Sequence, residues 1–211
     1  MLRTALAFSL LATPVLAGPV DFSTGWQEQR LSLFSSNTYS FGQTLRMTSE
    51  HTVSIAWTRV PQADWDSTGA SWTWSVSESV VPTDLSVKGG DDRNLSVYFV
   101  FVPGQTAPDL ASAGIRALLG RSDVRVIQYA WGGNNPVGQV IPSPYGEPGT
   151  GVMIPLRQAD TGSESVTVDL AADYARAFGG TPGALIGLAV SGDSDDTRGK
   201  ITAELSNMTL R

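Results

Sequence analysis

There is no cysteine anywhere in the 211 residues, and there is a single histidine. The first absence excludes disulfides, thiolate metal sites and thiol catalysis. The second leaves little room for imidazole chemistry. A serine–histidine–acid triad would have to use His51, which sits in Ser49-Glu50-His51-Thr52, a turn-like stretch that reads as surface. A nucleophile-elbow motif is missing, and so is a phosphate-cradling glycine loop with Lys and Ser or Thr. No stretch stays apolar over the roughly 20 residues that span a bilayer. No polybasic cluster offers itself to anionic lipid. Lys and Arg number 14 against 20 Asp and Glu, a formal net charge of -6. An acidic protein is repelled by phosphate backbones, so nucleic acid is not an expected partner.

What is present starts at the N-terminus. Met1-Leu2-Arg3 is a short positive region, Leu6 to Leu11 an apolar core, and Pro14 breaks it. Val15-Leu16-Ala17 places small residues one and three positions before a cut after Ala17. That order is a secretory signal peptide. Residues 1–17 are therefore expected to be removed, leaving residues 18–211 as one periplasmic or secreted domain, long enough to bury a sizeable core.

Period-two alternation dominates the mature chain. Ala70, Trp72, Trp74 and Val76 alternate with Ser71, Thr73, Ser75 and Ser77. Similar alternation runs through Val53–Thr58, Leu95–Phe101, Ser165–Leu170 and Ile201–Ser206. It marks strands with one buried and one wetter face. Gln43–Thr48, Val124–Ala130, Gly151–Leu156 and Ala184–Ser191 read as further strands, with turn-forming residues between them. Two short helices are expected, Ala111–Leu119 closed by Gly120, and Asp169–Phe178 closed by Gly179-Gly180. The prediction is an all-β fold, a sandwich or barrel with one or two short helices. Residues 132–151, rich in Gly, Pro and Asn, read as a long surface loop.

Chemistry-bearing residues cluster at strand termini. Asp91 and Asp92 precede the strand that starts near Asn94; Tyr129 and Trp131 end the strand from Val124; Asp193 and Asp195 end the strand from Ala184. If the strand from Asn94 runs antiparallel to the other two, all three clusters meet at one edge. Carboxylates beside an exposed aromatic ring suit a sugar, whose hydroxyls pair with the acids while its apolar face stacks on the ring. The plainer reading is that each Asp caps a turn. Asp193 and Asp195 also carry the hard oxygens that calcium takes. The twelve-residue helix-loop-helix calcium motif is excluded here, because Arg198 stands where that loop needs Gly and the flanks read as strands. The same four aspartates are the candidates for paired-carboxylate hydrolysis. The Trp72 and Trp74 pair reads as core.

The chain resembles a family of exported bacterial proteins known as domain of unknown function three thousand and forty-seven. The resemblance rests on six groups in order. They are Phe22 to Trp26; Trp72 to Val76; Asp84 ahead of Lys88 to Asp92 and Val97-Tyr98-Phe99; Ile127 to Trp131; Asp173 to Gly179; and Asp193 to Thr197. One departure is visible. The family usually carries Trp shortly before its Asp-Tyr helix, and this chain has no Trp after Trp131. The resemblance implies one jelly-roll-like β-sandwich of antiparallel strands, similar to carbohydrate-binding folds, and it implies no reaction. The expected function is a non-catalytic envelope protein that binds a glycan or similar polar ligand near Asp91, Asp92, Tyr129, Trp131, Asp193 and Asp195, with no cofactor other than a structural calcium. The alternatives are a polysaccharide hydrolase or lyase using the paired aspartates, and a structural or partner-binding envelope protein.

Overall fold

The structure is a computed structural model that describes residues 18–145 and 147–211. The expected signal peptide, residues 1–17, lies outside the described residues. In chain order the strands are β1 (Gln27–Arg30), β2 (Thr38–Phe41), β3 (Leu45–Glu50), β4 (Val53–Arg59), β5 (Gly69–Glu78), β6 (Arg93–Val102), β7 (Arg125–Gly132), β8 (Ile141–Pro142), β9 (Gly151–Arg157), β10 (Gly162–Asp169), β11 (Ala184–Asp193) and β12 (Lys200–Leu210). Three α-helices accompany them, α1 (Ala107–Leu110), α2 (Ile115–Leu119) and α3 (Leu170–Phe178). No helix among the described residues is long and apolar enough to cross a membrane.

Alternation resolves into two stacked sheets. One has seven strands in the order β1-β4-β11-β6-β7-β9-β8, the other five in the order β10-β5-β12-β3-β2. In β5 the alternate residues Ala70, Trp72, Trp74 and Val76 are buried, while their neighbours lean toward water. They meet Val97, Phe99, Tyr129 and Trp131 from the opposite sheet in one continuous core. Its centre is aromatic. The Trp74 and Trp131 rings lie 5.6 Å apart edge to face, and Trp72 lies 5.8 Å from Tyr129 and 6.0 Å from Phe99. Rings pack this way because the electron-poor edge of one meets the electron-rich face of the next.

Two expectations are corrected. The strands are not all antiparallel: β7 and β9 pair in parallel, the segment between them crossing over and carrying β8 on the way. Of the helix expected over residues 111–119 only Ile115–Leu119 is helical, as α2, because Gly114 at ψ 156° is extended and caps its start. The short α1 lies before that range, with Pro108 in its first turn, where the missing N–H costs nothing. The second expected helix is present as α3, with Asp169 outside it as the cap; its carboxylate accepts the Ala172 N–H at 2.9 Å. The strand β10 thus passes into α3 without a loop.

The topology assumed for the strand-end clusters holds. β6 lies between β11 and β7 and is antiparallel to both, with Arg93 opposite Asp193 on one side and Gly132 on the other. Replacing Trp74, sealed between Trp72 and Trp131, with Ala is expected to cost about 3–5 kcal/mol of stability. Urea unfolding followed by far-UV circular dichroism checks this, and a loss below about 1 kcal/mol would contradict the packing described.

Candidate functional site

On β6 the residues Leu95, Val97, Phe99 and Phe101 face the core, which turns Ser96 and Tyr98 to the outer face of the seven-stranded sheet. Strict alternation would send Arg93 inward with Leu95. A bulge between Arg93 and Leu95, and a matching irregularity between Ser191 and Asp193 on β11, break that register. Bulges re-aim side chains in this way. Arg93 therefore lies on the outer face beside Asp193. Gly132 makes room opposite, since a Cβ there would come within 2.6 Å of the Arg93 Cβ.

The Arg93 guanidinium is buried and uses all three nitrogens. Nε donates to Ser96 Oγ at 3.1 Å, and the second terminal nitrogen donates to Tyr98 Oη at 3.0 Å. The first terminal nitrogen reaches the Asp91 carbonyl at 2.8 Å, Asp91 Oδ2 at 3.0 Å and Asp193 Oδ2 at 3.1 Å. Burial alone would lower its pKa; Tyr98, Asp193 and Asp91 more than offset that, and the net shift is upward. Asp91 Oδ1 accepts from the Tyr145 hydroxyl at 2.8 Å. Burial, that hydrogen bond and the Asp91 charge push the Tyr145 phenol up to about 12.

Asp92 is buried and turned the other way. It accepts the Thr197 N–H at 2.7 Å, the Asp196 N–H at 3.3 Å and the Thr197 hydroxyl, and so anchors the turn after β11. That turn carries Asp195, which is exposed. Carboxylate oxygens of Asp92, Asp193 and Asp195 lie within 4.8 Å of one another. Asp193 is the anomaly among them. Burial raises its pKa to about 8, against the pull of Arg93 and with the added repulsion of Asp195 and Asp92. No donor reaches its Oδ1, and the nearby buried Ser191 Oγ makes no hydrogen bond either.

These groups form one end of a cavity of about 500 Å³ on the outer face of the seven-stranded sheet. Arg93, Ser191, Asp193, Asp195 and Tyr145 line that end, with Tyr98 and Gln128 further along the strands. Gln128 donates to Ser96 Oγ at 2.8 Å. The size falls within the roughly 300–1,000 Å³ usual for small-molecule sites.

The four aspartates expected from the sequence do converge. The two aromatic residues do not join them. Tyr129 and Trp131 occupy inward positions of β7 and are sealed in the core. The Tyr129 hydroxyl donates to Asp173 at 2.6 Å, Trp131 Nε1 donates to Asp160 at 2.9 Å, and the Arg157 guanidinium covers the Trp131 ring at 4.3 Å. Neither offers a face to a ligand, because β7 turns its odd-numbered residues toward the other sheet. Arg93, Tyr98, Gln128, Tyr145 and Ser191 were not among the candidate site residues, although Arg93 directly follows the Asp91-Asp92 pair and Tyr98 and Gln128 fall in the groups that carry the family resemblance. The available signal was a run of polar residues at alternate positions of apolar strands, which also reads as an ordinary wet face.

A two-sheet sandwich with a ligand-sized, polar-ended cavity over its larger sheet is the structural class that the fold and the site define. Within that class the chain belongs to the family described as Protein of unknown function (DUF3047), whose model matches residues 24–209. No curated protein matches the sequence. Among solved structures, the xyloglucanase domain of NopAA, a type three effector from Sinorhizobium fredii, in complex with cellobiose is 11% identical; the match covers 92% of this chain and 97% of that one at a TM-score of 0.46. The catalytic domain of Humicola grisea Cel12A, in complex with a soaked thio cellotetraose, is 9% identical over 90% of this chain and 88% of that one, with a TM-score of 0.41. The K3 adhesin domain of Lys-gingipain from Porphyromonas gingivalis is 9% identical over 93% and 99%, with a TM-score of 0.40. Identities and scores this low carry nothing about activity.

The raised Asp193 pKa has a consequence for stability. Between the ordinary carboxylate range and about pH 8 the folded chain holds a proton that the unfolded chain has released. The native state is thus favoured at the lower end of that window and loses this contribution as pH rises through it. Urea unfolding in chelator at intervals from pH 5 to pH 8 is expected to show falling stability, and Asp193→Asn is expected to flatten the decline. An unchanged slope in the variant would assign the titration elsewhere.

Proposed function

We propose that the protein is exported and binds, without turning it over, a glycan or similarly hydroxylated ligand in the cavity over the seven-stranded sheet. One observation carries this reading. Two buried polar atoms in the cavity lining, Ser191 Oγ and Asp193 Oδ1, receive no hydrogen bond from the protein. An unmet buried polar group costs about 1–3 kcal/mol. A ligand hydroxyl, which both donates and accepts, would meet both atoms at once. Asp195 and Gln128 stand beside them in the same lining.

The state of the other carboxylates favours binding over hydrolysis. Both oxygens of Asp91 are occupied, by Tyr145 and by Arg93, and Asp92 is occupied by the Asp196–Thr197 turn. Paired-carboxylate hydrolysis needs one acid to protonate and a second to attack or to activate water. Asp193, with its raised pKa, fits the first role. The second would fall to exposed Asp195, held on a surface turn.

The test is a glycan array followed by calorimetry on the best binder. Ser191→Ala removes one unmet group. It is expected to raise the stability of the free protein by about 1 kcal/mol while weakening ligand about three- to tenfold. Product release by the wild type, abolished in Asp193→Asn, would replace the binding reading with the hydrolytic one.

Calcium belongs to the same proposal. Asp193 and Asp195 gain Asp92 as a third hard-oxygen ligand within reach of one ion, and the Thr197 and Asp196 bonds to Asp92 would orient it. With a dissociation constant of about 10⁻⁴–10⁻³ M, calcium at about 10 mM is expected to raise Tm by about 3–10 °C over chelator. Asp195→Asn should remove the shift. An unmoved wild-type Tm ends the calcium assignment.

A further inference from the structure

The far end of the cavity has a different chemistry from the end that holds Arg93. Pairing register locates it. Asp193 lies opposite Val53 and Arg93, Ser191 opposite Ile55 and Ser96, and Ala189 opposite Trp57 and Tyr98. One step further, Val126 of β7 lies opposite Val100. At about 3.3 Å per residue, Arg93 and Val100 are separated by roughly 20 Å of strand. Over that length the lining passes from carboxylates and a guanidinium flanked by Val53 and Ile55, through Tyr98 and Gln128, to Val124, Val126 and Val152, with Arg121 and Thr150 beside them. The helix α2 closes this end from above with Ile115 and Leu118. Leu118 packs with Val100, Val124 and Val126, and Ile115 with Ala189 and Trp57.

The apolar end stays open to solvent through its rim. Leu119, from the last turn of α2, lines this end and is 47% exposed; Leu31, from the loop after β1, lines the cavity nearer the polar end, since Arg30 before it pairs with Ser54, between Val53 and Ile55. A large apolar side chain held half in water at the mouth of an apolar channel is unfavourable unless something covers it. A free sugar would satisfy the polar end and leave the valine end wet.

We propose that the ligand is an amphiphile, a glycoside or acylated sugar whose hydroxylated head lies at Ser191, Asp193 and Asp195 and whose hydrocarbon tail runs along the sheet under α2 toward Leu119. The inference rests on the hydroxylated-ligand reading and adds the tail to it. The tail is assigned by continuity, since both chemistries line one cavity, and by the direction in which the lining changes. A molecule with a polar head and an apolar chain matches that gradient; a pure hydrocarbon or a pure oligosaccharide matches only half of it.

Calorimetry with paired probes tests it. The probes are methyl and n-octyl β-glucoside, methyl and n-octyl β-galactoside, and octanol, each at submicellar concentration. The octyl glycoside of at least one sugar is expected to bind at least a hundredfold more tightly than its methyl partner. Leu119→Glu is expected to lower octyl-glycoside affinity at least tenfold and to leave the methyl glycoside within twofold. Ser191→Ala should weaken both to a similar degree. Equal affinity for methyl and octyl forms would overturn the tail and leave the hydroxylated-ligand reading standing. Octanol binding as tightly as the octyl glycosides would overturn the head, and with it both readings. No binding by any of the probes would also overturn both.

Discussion

The Arg93 guanidinium is a full positive charge held away from water on the outer face of a β-sheet. Taking such a charge out of solvent is costly unless it is paired and its donors are met. Much of the surrounding structure answers that requirement. The bulge in β6 turns Arg93 outward, Gly132 clears the space opposite it, and Ser96 and Tyr98 accept from its flanks. Asp91 and Asp193 both accept from its first terminal nitrogen, from two separate segments, so these contacts also tie the start of β6 to the end of β11. Tyr145 in turn reaches Asp91 and draws the long crossover segment over the sheet. The arrangement is not electrically balanced. Asp92 and Asp195 stand close to Asp193, and the surplus of negative charge, together with burial, is why Asp193 holds a proton so far above the ordinary carboxylate range.

Long strands were legible because alternation over six or more residues has no other simple cause. Each expected strand is present, and the Trp72 and Trp74 pair is the core it was read to be. Three strands were not read. β1 and β2 have four residues each and β8 has two, too short for a period to emerge, and pairing alone defines them. The helix expected over residues 111–119 is only half present for a local reason: Ala111-Ser112-Ala113 has helix-favouring composition but forms the turn between α1 and α2, and the extended Gly114 delays the start of α2 to Ile115. Parallel pairing of β7 with β9 was equally invisible, because it depends on the course of a loop rather than on any residue within the strands.

The site was half legible, and the dividing line is parity. Aspartates at strand ends could be brought together by assuming that β6 runs against its neighbours, and it does. Trp131 was drawn to the same edge by its place in the chain, yet it shares a face with Ile127 and Tyr129, so it belongs to the core. The residues that complete the cavity, Tyr98, Gln128 and Ser191, hold the opposite parity. Alternation labels them as the wet face. They are buried or partly buried only because α2 and the segment around Tyr145 roof that face, and no sequence pattern within a strand reports what lies above it. Arg93 is subtler still, since a single bulged residue reverses its parity.

That roof bears on what the cavity is for. A sandwich closes its core between its own two sheets, and here the Trp72–Trp74–Tyr129–Trp131 cluster does so, although the Trp72 and Trp74 indole nitrogens find no acceptor. The second covered layer, above the seven-stranded sheet, adds little comparable packing at its polar end. There Ser191 and Asp193 leave polar atoms unmet, and Asp193 gives up its normal ionisation. A layer that existed only to stabilise the fold would place apolar side chains at Ser191 and Gln128, as it does at Val124, Val126 and Val152 along the same face. Buried polar groups that weaken a fold persist where they serve something besides stability. The cost falls on the floor of the cavity, at the point where the strands carry their charge, and the apolar remainder of that floor is continuous with it. Two roles thus divide between the two faces of one sheet: the inner face holds the sandwich together, and the outer face carries the buried Arg93 network beside two polar atoms, on Ser191 and Asp193, that no protein group meets.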